Sequence, residues 1–133
     1  MNASKVDKRL NVLIVDDDQA ILHLMMNILK EFNFNPSIAG SGEEALRSAR
    51  EATPDVILLD LHMPGMSGRD VIDALKAESA LRQVPVVILS GEPVSRRELD
   101  ALGAVSSVTK PFDLPLLIEC IRSVGTQHTA PEL

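Results

Sequence analysis

Asn11-Val12-Leu13-Ile14-Val15-Asp16-Asp17-Asp18 passes from an apolar run straight into three carboxylates. A run this short and this continuously apolar reads as a strand covered on both faces, as in a parallel sheet. A second run, Val56-Ile57-Leu58-Leu59, ends the same way on Asp60. Buried strands that deliver acids at their exit ends gather negative charge at one rim of a sheet. That charge is costly unless something positive sits in it. A hard divalent cation, bound through several oxygens, is the natural occupant.

Working outward, short apolar runs alternate with amphipathic segments along the chain. Five strands are expected near residues 11–16, 35–39, 55–60, 85–90 and 105–109. The first, third and fourth are continuously apolar; the second (Pro36, Ser37) and fifth (Ser106, Ser107) are weaker, as edge strands often are. Strand–helix alternation of this kind implies a parallel α/β sheet with right-handed crossovers.

Helix signals fill the gaps. Residues 19–32 place Ile21, Met25, Ile28 and Phe32 on one stripe, with Leu24 beside it, and His23, Asn27 and Lys30 opposite. Ser41–Glu44 and Ser95–Glu98 match capping boxes, and Val94 with Leu99 fits a hydrophobic staple. Ser67 or Gly68 starts the third helix, with Val71, Ile72 and Leu75 inward. The fourth must stop before Gly103, so it has only about two turns. Asp113 caps the fifth, whose inner face is Leu114, Leu117, Ile118, Ile121 and Val124; Gly125 reads as its stop signal. Residues 1–9 and 125–133 read as tails around one domain over 10–124.

Composition narrows the function. The chain has 133 residues, of which 45% are hydrophobic and only 2% aromatic, so an aliphatic core is required. The net charge is −6 and no Lys/Arg run exceeds a pair. Nucleic-acid affinity depends on neutralising phosphates, so direct nucleic-acid binding is not expected. No apolar run approaches membrane-spanning length, and the first residues do not form a secretory signal. A single cysteine, Cys120, excludes an internal disulfide and fits the cytoplasm.

In open parallel sheets, ligands bind beyond the carboxyl ends of the strands. Asp16 and Asp17 follow the first strand, Asp60 the third, Ser90 the fourth and Lys110 the fifth. The set resembles an anion-transfer site, in which carboxylates hold a cation and one of them attacks. Each residue also has an ordinary reading. The acids could favour a helix N-terminus, a reading that suits Asp18. Asp60 could end a strand in a turn, Ser90 could begin a loop, and Lys110 could be solvated. Their joint placement at strand ends favours the site. His62 lacks a His or Cys partner for a zinc site and reads as a loop residue. His23 reads as solvated and Cys120 as a small packed hydrophobe. Leu116 is an isolated exposed leucine or part of a partner surface.

Four segments carry a family resemblance: Leu13–Asp18, Asp55–Gly68, Pro85–Ser90 and Thr109–Phe112. In order and spacing they resemble the receiver domain of bacterial two-component response regulators, over residues 10–124. The resemblance implies a doubly wound (βα)5 flavodoxin-like sandwich with strand order 2-1-3-4-5. It implies that Asp60 is the phosphoacceptor, loaded by a sensor histidine kinase or a histidine phosphotransfer protein. Asp16, Asp17, Asp60 and the backbone carbonyl of His62 would hold Mg²⁺. Lys110 would pair with the phosphoryl oxygens, and Ser90 would donate a hydrogen bond to them. Lys110-Pro111 would be a cis peptide bond that turns Lys110 into the site. Such a domain catalyses chemistry only on itself, and would contact a second copy or a downstream protein through helix four, strand five and helix five.

Two features depart from the family. The switch position three residues before the site lysine, usually Tyr or Phe, is Ser107. The segment from Ser90 to Lys110 is also slightly short. Readout through helix four and its preceding loop is therefore expected instead of aromatic rotation. Two other functions remain open. One is a Mg²⁺-dependent phosphatase with an aspartyl nucleophile on the first strand, hinted at by Asp16 and Asp18; Gln19 and Ala20 do not suit that family. The other is a degenerate receiver kept as a binding scaffold, against which the intact acid set argues.

Overall fold

A computed structural model describes residues 9–129; of the expected tails at 1–9 and 125–133, residues 1–8 and 130–133 lie outside the described residues. Five strands alternate with five helices: β1 (Asn11–Val15), α1 (Gln19–Glu31), β2 (Asn35–Ala39), α2 (Gly42–Glu51), β3 (Val56–Asp60), α3 (Gly68–Lys76), β4 (Val86–Ser90), α4 (Arg96–Leu102), β5 (Ser106–Thr109) and α5 (Leu114–Thr129). The strands form one parallel sheet in the order β2-β1-β3-β4-β5. The two weaker strands are the edges, as their polar residues suggest.

Two apolar clusters sandwich the sheet. Leu13, Val15, Ile57, Leu59 and Ile88 point to one side, against α2, α3 and Leu99 of α4. Val12, Ile14, Leu58, Val87 and Leu89 point to the other, against α1 and α5. All five residues of β3 and all five of β4 are buried, which is why these runs show no polar alternation. Each fully buried Leu or Ile contributes about 2 kcal/mol of hydrophobic stabilisation.

The caps follow the sequence signals. Ser67 with Asp70, and Ser95 with Glu98, form reciprocal capping boxes. Ser41 accepts from the Glu44 amide, but the Glu44 carboxylate accepts from the Gly40 amide, so this box is offset by one residue. Asp18 caps α1 through the amides of Ala20 and Ile21, at 2.9 and 3.3 Å. Gly103, at φ +90°, closes the short α4 in the left-handed conformation that glycine adopts without strain.

Three expectations are corrected. The inner stripe of α1 is Leu22, Met25 and Leu29; Ile21 and Ile28 are half-buried, and Phe32 is 42% exposed. Residues 21–29 are nearly all apolar, so two phases of the stripe fit the sequence and only packing chooses between them. Leu114 stands 36% exposed on the first turn of α5, leaving Leu117, Ile118 and Ile121 to fill the core. Gly125 does not stop α5, which runs to Thr129. A Cβ at Gly125 would lie 2.8 Å from Leu10 Cδ1 and 3.0 Å from Val56 Cγ2. The glycine lets the helix approach the sheet closely.

Candidate functional site

Parallel register brings the polar ends together. Val15 pairs with Leu59, Asp60 with Leu89, and Ser90 with Thr109. The residues that follow or end these strands therefore share one rim. Asp16 is 1% exposed, Asp60 7% and Ser90 5%; among the described residues they are the buried polar side chains. Asp17 is exposed.

One oxygen from each of Asp16, Asp17 and Asp60 lies within 4.8 Å of the others. Lys110 reaches over this cluster. Its Nζ is 3.1 Å from Asp16 Oδ2 and 3.8 Å from Asp60 Oδ2. Three carboxylates thus face one ammonium, and a hard cation would complete the balance. The all-oxygen donor set, partly buried and partly open through Asp17, fits a magnesium-like ion that keeps some of its waters.

Backbone groups fix the acids. The Asp18 amide donates to Asp16 Oδ1 at 2.9 Å, and the His62 amide donates to Asp60 Oδ1 at 3.0 Å. Burial pushes the Asp60 carboxyl above its ordinary range. The His62 amide and Lys110 pull it down, while Asp16 and Asp17 push it up. The protonated form is favoured by desolvation and like charge, and a nearby cation would counter both.

The remaining expected residues fall as follows. Lys110-Pro111 is cis, and the Lys110 amide donates to the Ser90 carbonyl at 2.7 Å. Ser90 sits at the rim, but its hydroxyl donates to the Glu92 carbonyl at 2.7 Å and accepts from the Glu92 amide at 3.1 Å. It is engaged by its own loop and does not bond Asp60. The His62 side chain is exposed; only its amide touches Asp60. Ser107 is half-buried on β5, paired in register with Ile88. Cys120 packs beside the α1/α5 core, and burial pushes its thiol up against the opposing effect of a Ser106 hydrogen bond.

Two contributors escaped sequence reasoning. Glu92 acts through its main chain, which leaves no signature in residue type. Gly68 lies beneath the loop that follows Asp60: its amide donates to the Leu61 carbonyl at 3.2 Å. A Cβ there would sit 2.8 Å from both the Asp60 carbonyl oxygen and Leu61 Cα. Backbone cannot yield as a flexible side chain can. Gly68→Ala is therefore expected to lower stability by about 1–3 kcal/mol, as overpacking does, and urea unfolding measures it. An unchanged midpoint would show that the loop yields freely.

Comparison with known proteins agrees with this geometry. The family model for the response regulator receiver domain matches residues 12–122. The DNA-binding response regulator MtrA of Mycolicibacterium smegmatis is 36% identical over 117 residues, covering 86% of this chain and 50% of that protein. The transcriptional regulatory protein KdpE of Mycobacterium tuberculosis is 36% identical over 121 residues, covering 90% and 52%. The chain thus spans about half the length of these curated relatives. Among solved structures, the chemotaxis protein CheY4 of Vibrio cholerae superposes with a TM-score of 0.82 at 30% identity, covering 87% of this chain and 98% of that one. The sheet order is the expected one, and the chain belongs to the response regulator receiver domain family.

Proposed function

We propose that Asp60 accepts a phosphoryl group from the phosphohistidine of a sensor histidine kinase or a histidine phosphotransfer protein. The observation that carries this reading is the convergence of Asp16, Asp17, Asp60 and Lys110 at one sheet rim. An Asp60 oxygen forms a bond to phosphorus as the phosphorus–nitrogen bond breaks. The bonding pair leaves with the imidazole nitrogen. Little other chemistry is required, so positioning and charge neutralisation carry the catalysis. The His62 amide orients the carboxylate, and Lys110 faces the incoming phosphoryl oxygens. Asp16, Asp17 and Asp60, with the His62 backbone carbonyl, would hold Mg²⁺, which neutralises charge on the transferring group. The domain modifies only itself and acts in the cytoplasm, a reducing compartment that suits an unpaired Cys120.

The Ser90 hydroxyl supports a specific readout. To donate to an arriving phosphoryl oxygen it must release the Glu92 carbonyl. That release loosens the loop leading into α4 without any aromatic at position 107, and the α4/β5/α5 surface would then present a changed face to a downstream protein. Such a switch requires a ligand with different affinity for the two states. Chemical shifts with and without a phosphoryl mimic are expected to change across 91–107. Changes confined to the Asp60 pocket would refute this route.

Intact-mass measurement after incubation with a small phosphodonor tests the main reading. One phosphoryl group is expected in the presence of Mg²⁺, and none after chelation. Repeated hydrolysis of a generic phosphomonoester would instead establish a phosphatase.

A further inference from the structure

Releasing the Ser90 loop frees α4 but does not hold it in a new place. Position 107 on β5 is a serine, so no aromatic ring there can brace a moved helix. A switched state persists only if it gains an interaction that the resting state lacks.

One unmade interaction lies on the α3 side of α4. A cleft of about 300 Å³ is lined by Leu61, His62 and Arg69 on one side and by Glu98, Ala101 and Leu102 on the other. Arg69 and Glu98 bring opposite charges to the same cleft without meeting. Arg69 has no hydrogen-bond or ion-pair partner among the described residues. Glu98 is held within its capping box, where Oε1 accepts from the Ser95 amide at 3.0 Å. An ionised carboxylate offers about four lone-pair sites, so Glu98 can keep its cap and still accept from a guanidinium. Leu61, Ala101 and Leu102 make the walls partly apolar, and closing the cleft would also remove that surface from water. Leu61 and His62 directly follow Asp60, so the cleft joins the loop of the acid cluster to α4.

We propose, on the reading of Asp60 as phosphoacceptor, that α4 in its switched position closes toward α3 and that Arg69 then pairs with Glu98, latching that state. Arg69 acts on the site only through α4 and is a positioning residue.

Affinity for a phosphoryl mimic, beryllium fluoride with Mg²⁺, reads the latch. A mimic that favours the switched state binds more tightly when that state is easier to reach. Glu98→Gln removes the charge and keeps the capping box, in which glutamine also serves. Arg69→Gln removes the partner at an exposed position, so both variants are expected to fold. Each should weaken mimic binding by about two- to fivefold, the worth of one exposed ion pair. The double variant should bind no more weakly than either single one, because the pair is already gone. Arg69→Lys should retain most of the affinity, and added salt should shrink the gap between the wild type and Arg69→Gln. Additive losses in the double variant overturn the latch. Loss in Glu98→Gln with none in Arg69→Gln also overturns it, and makes His62 the partner of Glu98. Wild type and variants that bind the mimic equally overturn the latch alone. A wild type that takes up no mimic overturns the reading of Asp60, and the latch with it.

Discussion

Asp60→Asn is expected to abolish phosphoryl uptake: no mass gain under conditions in which the wild type gains one phosphoryl group. In the proposed transfer the carboxylate is the nucleophile, and an uncharged amide of the same shape cannot replace it. Equal labelling of both proteins would reject Asp60 as the acceptor. The same substitution is expected to stabilise the fold at neutral pH in metal-free buffer. Burial, with help from Asp16 and Asp17, holds the Asp60 carboxyl above its ordinary range despite the His62 amide and Lys110. The folded state therefore binds this proton more tightly than the unfolded chain does. The resulting cost is absent at pH values below the unfolded carboxyl range. It grows as pH rises from there through the raised folded value, because the folded state must then carry the charge. Asparagine has no charge to desolvate. Thermal melts should show the variant gaining on the wild type at neutral pH and losing that advantage in acid. An advantage of equal size at both pH values would mean that the gain is not electrostatic.

The fold was legible because its information is local. Continuous apolar runs such as Val56–Leu59 and Val86–Leu89, short and β-branched, read as strands covered on both faces, and helix starts such as Ser67 and Ser95 carry their own capping partners. The rim was legible for a related reason: a polar residue that ends a buried strand emerges at a predictable place. What the residues did not show was settled by packing. The sequence of α1 allows two apolar phases, and contact with β1, β3 and α5 selects Leu22, Met25 and Leu29. Gly125 resembles a helix stop, but its purpose is close approach to Leu10 and Val56. Ser90 was placed at the rim correctly, yet the Glu92 main chain that engages it is invisible in residue types.

Removing Lys110 should have two separable effects. Lys110→Met retains the stem and deletes the charge. Asp16, 1% exposed, loses the ammonium 3.1 Å away, and Asp60 loses it at 3.8 Å. A buried carboxylate left without its partner destabilises the fold. The Lys110 side chain is 28% exposed, so solvent already screens part of this interaction, and the expected loss is about 1–3 kcal/mol by urea unfolding without metal. Mg²⁺ should stabilise the variant by more than it stabilises the wild type. Three acids without their lysine form a more negative site, and a ligand that binds only the folded state raises its stability in proportion to its affinity. Phosphoryl transfer should respond differently. In the proposed transfer Lys110 faces the developing charge, and loss of one such group slows a reaction by about 10²–10³-fold. Excess Mg²⁺ should therefore restore the unfolding midpoint while the labelling rate, followed by intact mass, stays low. Wild-type labelling kinetics in Lys110→Met would remove the lysine from the transfer step. A stability loss that Mg²⁺ cannot offset would mean that the three carboxylates do not share one cation.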